Sequence, residues 1–149
     1  MDAIRPWLYV GKYRETINVN LLAGRKIEAM LQLAEAVTYP HITSIYLPVE
    51  DGEPLPDHLL RQGVDFVLSA QQRGQTVLIA CGAGISRAVT FTVAVLKEAE
   101  GSSLLEAVQT VKKHRSESLP HPALWKSLCA YYDEEFDFFG MLNTLRGDK

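Results

Sequence analysis

Residues 76–90 of the chain read Thr-Val-Leu-Ile-Ala-Cys-Gly-Ala-Gly-Ile-Ser-Arg-Ala-Val-Thr. The uniformly apolar run over 77–80 is typical of a short buried parallel strand, and Cys81 follows directly after it. Apolar residues recur at helical spacing from Arg87 onward, which predicts a helix that begins at this arginine. The sequence therefore places a Cys-x5-Arg motif in a loop between a strand and a helix.

The flanking segments extend this alternation of strands and helices. The predicted strands cover 7–10 (stopping at Gly11), 42–49 and 77–80, and the predicted helices cover 59–73, 87–98, 103–113 and 123–139. Residues 27–33 are compatible with either structure. This order favours one α/β domain over 1–149, with a central, mainly parallel sheet of four to five strands flanked by helices on both faces. The tail from about residue 143 is predicted to fray.

Composition restricts the class of protein. The chain has 149 residues, of which 47% are hydrophobic and 22% charged, as in ordinary globular domains. A net charge of −3 does not indicate a general nucleic-acid or membrane binder. Two cysteines are too few for a disulfide framework and indicate a reducing compartment. Because the sequence also shows no secretory signal and no long apolar stretch, we expect a soluble, cytoplasmic protein.

The loop after Cys81 has the composition of a phosphate-binding nest. A thiolate is the nucleophilic form of cysteine, and the N–H groups at a helix N-terminus stabilise an anion. Glycines permit the positive φ angles that let successive N–H groups converge, and an arginine can grip two phosphate oxygens. The predicted phosphate-binding residues are Gly82, Ala83, Gly84, Ile85, Ser86 and Arg87. A buried structural cysteine beside a surface arginine is the alternative, but strand, glycines and helix together favour the functional interpretation.

This motif resembles the phosphate loop of the cysteine-dependent protein tyrosine phosphatases, and 83–87 is most similar to their dual-specificity branch. Three further segments carry the resemblance. Residues 4–11 resemble the family's opening strand, 47–51 its general-acid loop, and 120–128 the segment that enters its last helix. Residues 4 to about 136 follow the family's order of elements, so the resemblance covers most of the chain.

The resemblance implies a two-step reaction. Cys81 would attack phosphorus and form a phosphocysteine intermediate, while Arg87 and the loop amides hold the equatorial oxygens. Asp51 matches the family's acid, which protonates the leaving oxygen and then helps to activate water. A solvated turn residue is the alternative interpretation of Asp51, and other carboxylates lie nearby: Glu50, Glu53 and Asp57. The resemblance implies no metal and no cofactor.

Two alanines depart from the family's pattern. Ala80 replaces the histidine that precedes the cysteine, and Ala88 replaces the hydroxyl residue that follows the arginine. We expect Cys81 to remain ionised at neutral pH, because the helix terminus and the arginine are still present. Turnover is expected to be limited by the second step, so that a phosphoenzyme accumulates. Ser86 and Thr90 are the nearby hydroxyls that could substitute.

The expected substrates are phosphate monoesters. Phosphotyrosine and phosphoserine or phosphothreonine in a protein partner fit a short chain with little room for pocket-deepening loops. RNA 5′-phosphates and phosphoinositides are alternatives within the same chemistry, which the lack of a basic cluster around the motif disfavours. Inorganic phosphate or a similar oxyanion is expected to occupy the loop. A catalytically weak phospho-binding pseudophosphatase is the alternative class of function, and the two alanines are its main support.

Other reactive residues receive structural interpretations. Arg115, at the end of a predicted helix, resembles a family position but is assigned no catalytic role. Cys129 lies in an apolar helix and is predicted to be part of the core. The histidines lack the spacing of metal ligands: His41, His58, His114 and His121.

Overall fold

The computed structural model describes residues 1–147. Its strands are β1 Asp2–Arg5, β2 Leu8–Lys12, β3 Ala29–Gln32, β4 Thr43–Tyr46 and β5 Val77–Cys81. They form one sheet in the order β1-β2-β5-β3-β4. Strand β1 pairs with β2 antiparallel, whereas the β2–β5, β5–β3 and β3–β4 pairs are parallel. The predicted α/β fold with a mainly parallel sheet is confirmed.

Helices cover both faces of this sheet. They are α1 Tyr13–Thr16, α2 Val19–Gly24, α3 Asp57–Gln72, α4 Arg87–Glu100, α5 Leu104–His114, α6 Pro122–Tyr131 and α7 Phe138–Leu145. The main core lies on the face covered by α3 to α7, and a smaller apolar cluster that includes Leu22 of α2 lies on the other face. No helix in the part of the chain described, 1–147, is long and apolar enough to cross a bilayer.

Strand β5 is buried on both faces because it occupies the centre of the sheet. Val77, Ile79 and Cys81 pack into the main core, while Leu78 and Ala80 pack into the smaller cluster. This two-sided burial explains why the strand is apolar at every position rather than at alternate positions. It also places Cys81 at the carboxyl end of the central strand, where ligands bind in open α/β sheets.

Strand boundaries differ from the sequence prediction in two places. The prediction that the strand over 7–10 stops at Gly11 is wrong, because β2 continues to Lys12 and Gly11 pairs with Ala80. The ambiguous segment 27–33 contains strand β3, which is buried at every position. Strand β4 is shorter than the predicted segment 42–49. The sequence pattern did not predict the short elements β1, α1 and α2. Strand β1 forms by antiparallel pairing with the adjacent β2, and Asn18 caps α2 by accepting a hydrogen bond from the Leu21 N–H.

The prediction of a single helix over 123–139 is wrong, because α6 and α7 are separate helices. The chain reverses at Asp133, whose φ of 55° lies in the left-handed region that aspartate tolerates. The next residue fixes the turn, since the Glu134 carboxylate accepts hydrogen bonds from Lys97 Nζ at 2.5 Å and from the Leu104 N–H at 3.1 Å. Contacts to α4 and α5 therefore end the helix at a point where the sequence pattern predicts that it continues.

Helix α7 extends to Leu145, beyond the position near 143 at which fraying was predicted to begin. Asp137 caps its first turn by accepting a hydrogen bond from the Gly140 N–H at 2.9 Å. The last two positions of the predicted tail, 148 and 149, lie outside the described residues.

Candidate active site

Cys81 is the last residue of β5 and is 3% exposed. It lies beside the N-terminus of helix α4. The backbone N–H of Ala88, in the first turn of α4, donates a hydrogen bond to Cys81 Sγ at 3.3 Å. Unpaired N–H groups and the aligned peptide dipoles at a helix N-terminus favour a negative charge. The first turn of α4 therefore directs a backbone donor at the Cys81 sulfur.

Arg115 holds the middle of the phosphate loop from outside. Its Nε donates to the Gly84 carbonyl at 2.7 Å and its Nη2 to the Ala83 carbonyl at 3.3 Å. The guanidinium is itself anchored by the Asp2 carboxylate, which accepts from Nη1 at 2.8 Å. With only 4% of the residue exposed, Arg115 is a buried support of the loop rather than a surface cation.

The remaining loop carbonyls also accept hydrogen bonds from outside the loop. The donors are the Tyr13 N–H to Gly82 at 3.3 Å, the Leu119 N–H to Ile85 at 2.9 Å, and the Thr90 N–H and hydroxyl to Ser86 at 2.9 and 2.8 Å. Within residues 1–147, the N–H groups of 83–86 have no hydrogen-bond acceptor. With the carbonyls turned outward, these N–H groups are free to bind an anion.

Gly84 is the loop position at which a side chain does not fit. Its φ is 68°, and a Cβ atom built there would lie 2.6 Å from the Gly11 carbonyl oxygen and 2.6 Å from Arg115 Nη2. Real Cβ atoms are not found this close to a backbone oxygen. Glycine is therefore required both by the left-handed backbone and by the close approach to β2.

The Arg87 guanidinium is positioned by two carbonyls that follow neighbouring strands. Its Nη1 donates to the Val49 carbonyl at 3.0 Å and to the Leu33 carbonyl at 3.3 Å. Its Nη2 lies beside the loop, 3.2 Å from the place where a Cβ of Gly82 would be. Nη1 of the guanidinium is thus held by two backbone carbonyls, while Nη2 borders the phosphate loop.

Asp51 reaches the loop through a side-chain hydrogen bond. Ser86 Oγ donates to Asp51 Oδ1 at 2.7 Å, and the same Oγ accepts from the His121 N–H at 2.9 Å. The Asp51 residue is exposed, so this contact rather than burial sets its position.

A cavity of about 220 Å³ brings most of the predicted site residues together. Its lining residues are Asp51, Cys81, Ala83, Ile85, Ser86 and Arg87. Gly82 instead lines an adjoining cavity of about 520 Å³ that also reaches Arg87, and Gly84 is buried on the far side of the loop. Among the described residues, none of the three rival carboxylates of the acid segment lines the smaller cavity.

Residues 8–134 match the sequence model of the family described as "Dual specificity phosphatase, catalytic domain". The chain belongs to this family. The match spans the strand, phosphate loop, arginine and acid segment described above, and it confirms the prediction of a domain of the protein tyrosine/dual specificity phosphatase class.

Curated relatives and solved structures agree with this assignment. Rat dual specificity protein phosphatase 5 is 31% identical over 137 residues, which cover 88% of this chain and 35% of that protein. The chain therefore spans about a third of the length of this relative. The crystal structure of human DUSP28 has a TM-score of 0.82 at 25% identity, with 89% of this chain and 96% of that chain covered. A mouse dual specificity phosphatase complexed with zinc tungstate also has a TM-score of 0.82, at 26% identity, covering 89% of this chain and 86% of that chain.

The two alanines that depart from the dual specificity phosphatase pattern have different surroundings. Ala80 is 2% exposed and packs in the smaller apolar cluster. Ala88 presents its backbone N–H to Cys81 but has no hydroxyl to accompany it. The Ser86 hydroxyl donates to Asp51 and the Thr90 hydroxyl to the Ser86 carbonyl, so within 1–147 neither hydroxyl donates to Cys81 Sγ.

Arg115 is the site residue whose importance sequence reasoning missed in this dual specificity phosphatase domain. The sequence signal was its resemblance to a family position, but an arginine at a helix end is usually a solvated cation near the negative end of the dipole. Cys129, in contrast, is buried in α6 as predicted, at 2% exposure. Its burial, with a smaller contribution from the charge of Glu134, raises the pKa of the Cys129 thiol to about 11.

Proposed function

We propose that this domain hydrolyses phosphate monoesters through a phosphocysteine intermediate, with phosphotyrosine and phosphoserine or phosphothreonine as substrates. The observation that carries the proposal is that one cavity is lined by the Cys81 thiol, the Arg87 guanidinium and the Asp51 carboxyl. A nucleophile, an anion-binding fork and a proton donor are the groups that phosphoryl transfer to cysteine requires.

In the first step, Cys81 Sγ attacks phosphorus while the bond between phosphorus and the ester oxygen breaks. The N–H groups of 83–86 and the Arg87 guanidinium bind the three equatorial oxygens, where negative charge spreads in the transition state. The leaving oxygen takes a proton from Asp51, which becomes a carboxylate. The hydrogen bond from Ser86 to Asp51 supports this assignment, because it holds the carboxyl at the edge of the cavity.

In the second step, water attacks the phosphocysteine and gives a proton to the Asp51 carboxylate as the bond between sulfur and phosphorus breaks. The departing thiolate is stabilised by the Ala88 N–H, which lies 3.3 Å from Sγ. Inorganic phosphate is then released from the loop. The tungstate complex of the mouse relative supports an oxyanion in this loop, because tungstate is a tetrahedral oxyanion like phosphate.

A phospho-binding protein with little turnover is the second candidate function. The observation that favours it is the missing hydroxyl at Ala88, which leaves the departing thiolate with a single backbone donor. Such a protein would still bind phosphate through Arg87 and the free N–H groups of 83–86.

Hydrolysis of p-nitrophenyl phosphate in the presence of EDTA tests the proposal. We expect wild type to be active, Cys81→Ser to be inactive, and Asp51→Asn to lose about a hundredfold in kcat. The matched control is Cys129→Ala, which removes the other buried cysteine and is expected to retain activity. Activity that survives Cys81→Ser would contradict both candidate functions, whereas inactivity with phosphopeptide binding retained would favour the phospho-binding protein.

A further inference from the structure

A second cavity, of about 230 Å³, lies directly beside the proposed catalytic cavity. The two cavities share three lining residues: Asp51, Ile85 and Ser86. We call the apolar part of the second cavity the apolar shelf and define it by Ile85, Leu119, Pro120, Pro122 and Phe138. The shelf is therefore continuous with the place where the phosphate is proposed to bind.

The shelf is attached to the phosphate loop by the backbone. The Leu119 N–H donates to the Ile85 carbonyl at 2.9 Å, so the turn that carries Leu119 keeps a fixed distance from the loop. Both side chains are exposed, Ile85 at 37% and Leu119 at 40%. Phe138, in the first turn of α7, lies beyond the residues 8–134 that match the family model. This part of the shelf belongs to the segment outside the family match.

The chemistry of the cavity disfavours anionic ligands. Among the described residues that line the cavity, the titratable side chains are Asp51 and His121, and no lysine or arginine is present. An additional phosphate or a carboxylate would find no lysine or arginine there, and it would face the Asp51 carboxyl. An apolar side chain would instead remove exposed apolar surface from water, which favours binding.

The position of the shelf fits a peptide that carries the phosphate. Consecutive residues of an extended chain are about 3.3 Å apart, and neighbouring side chains point to opposite sides. A residue next to, or two positions from, the phosphorylated residue can therefore reach a cavity that shares its wall with the phosphate site. A small aryl phosphate has no such neighbour and cannot use the shelf.

We propose that the apolar shelf binds an apolar side chain of a phosphoprotein substrate, located within two residues of the phosphorylated residue. The inference rests on the proposed phosphatase function and names the kind of substrate sequence that the site prefers. Ile85, Leu119 and Phe138 would form the contact, and the shared Asp51 and Ser86 would separate it from the reacting phosphate.

Phosphotyrosine peptides with leucine or serine at each of the two positions on either side of the phosphotyrosine test this proposal. We expect leucine in at least one position to raise kcat/KM about tenfold over serine, which corresponds to about 1.4 kcal/mol. In Leu119→Ser and in Phe138→Ser the preference should fall below about threefold. The matched control is Leu105→Ser, which changes a leucine of nearly the same exposure, 39%, on α5 and should keep the full preference.

The readout is a ratio of two peptides on one variant, so a general loss of activity in a poorly folded variant does not imitate the effect. Equal rates for leucine and serine peptides, or a preference that survives both shelf variants, would overturn the proposal. Concentration-dependent self-association that Phe138→Ser abolishes, together with no peptide preference, would show that a second copy of the chain covers the shelf. If wild type hydrolyses neither p-nitrophenyl phosphate nor the peptides, the phosphatase function fails. The shelf proposal is then tested by fluorescence anisotropy, as the ratio of the dissociation constants of the serine and leucine peptides.

Discussion

Ser86 Oγ donates a hydrogen bond to Asp51 Oδ1 at 2.7 Å and so connects the phosphate loop to the segment 47–51 that carries the proposed acid. Because the same oxygen accepts from the His121 N–H at 2.9 Å, its own hydrogen is directed to the carboxylate. Asp51 lies 35 residues before Ser86 in the sequence, and His121 lies 35 residues after it. The Ser86 hydroxyl thus fixes the proposed acid relative to the nucleophile, although Asp51 itself is exposed.

We expect Ser86→Ala to lower kcat/KM, which reports phosphoenzyme formation, by roughly tenfold to a hundredfold, because a freely rotating Asp51 donates a proton less effectively. The loss should be larger for phenyl phosphate than for p-nitrophenyl phosphate, since the phenolate is the more basic leaving group and depends more on protonation. Steady-state kinetics with both substrates provide the measurement. Ser103→Ala serves as the control, because Ser103 also makes a side-chain hydrogen bond, to the Glu106 N–H at 3.1 Å, but in the cap of α5. An equal loss for both substrates would show that Ser86 supports the loop and does not position the acid.

We expect wild type to show a burst of p-nitrophenol followed by a slower steady state. The physical reason is that the thiolate leaving in the second step has the Ala88 N–H as its donor, at 3.3 Å, without a neighbouring hydroxyl. Ala88→Ser should supply a second donor, raise the steady-state rate about tenfold, and reduce the burst. Rapid-quench kinetics at a high enzyme concentration measure both quantities. Thr92→Ser is a suitable control in the same helix, because the Thr92 hydroxyl is buried and donates to the Ala88 carbonyl. Absence of a burst, with an unchanged rate in Ala88→Ser, would place the slow step before phosphoenzyme breakdown.

The central part of this fold could be predicted from sequence because it is encoded locally. An apolar run predicted β5, helical spacing predicted α4, and the motif between them predicted that Cys81 and Arg87 share a loop. Asp51 required the family resemblance, since no local pattern brings residue 51 to residues 81–87. The contact that places it depends on the packing of three separate segments around Ser86.

Arg115 could not be recognised from sequence for a different physical reason. A charged residue is buried where its partners surround it, and the hydrogen-bond acceptors of the Arg115 guanidinium lie at residues 2, 83 and 84. The separation of α6 from α7 likewise depends on Glu134, whose carboxylate is held by Lys97 and the Leu104 N–H. Such features are decided by contacts between distant segments, to which a single sequence gives no direct access.

We expect Gly84→Ala to reduce activity by at least about a hundredfold, because the new Cβ would lie 2.6 Å from the Gly11 carbonyl oxygen and push the loop away from Arg115. The comparison with Gly74→Ala separates this collision from backbone strain. Gly74 has a similar φ of 74°, but no atom lies within 4 Å of its Cβ position. Gly74→Ala should therefore lower the free energy of unfolding by about 1–2 kcal/mol and leave kcat unchanged. Chemical denaturation and p-nitrophenyl phosphate kinetics on both variants test the difference, and similar kcat values would mean that the loop absorbs the extra methyl group.

Cys129 should make the stability of the domain depend on alkaline pH. Burial and the charge of Glu134 raise its pKa from the ordinary value of 9.0 to about 11 in the folded state. Between these values the folded chain holds a proton that the unfolded chain has released, so the free energy of unfolding falls as the pH rises through this window. Below the ordinary value both states are protonated, and the contribution is fully present.

Urea denaturation of wild type and Cys129→Ala at several pH values between 8 and about 11 isolates this effect, because the alanine variant lacks the titrating group. Burial and the neighbouring Glu98 also raise the pKa of Tyr132, which destabilises the fold at high pH in both proteins and cancels in the comparison. Wild type should be the more stable protein at pH 8, since Cys129 fills a buried position at 2% exposure. Its advantage should then shrink steadily above pH 9. A constant difference across the range would mean that the Cys129 thiol ionises equally in the folded and unfolded chains.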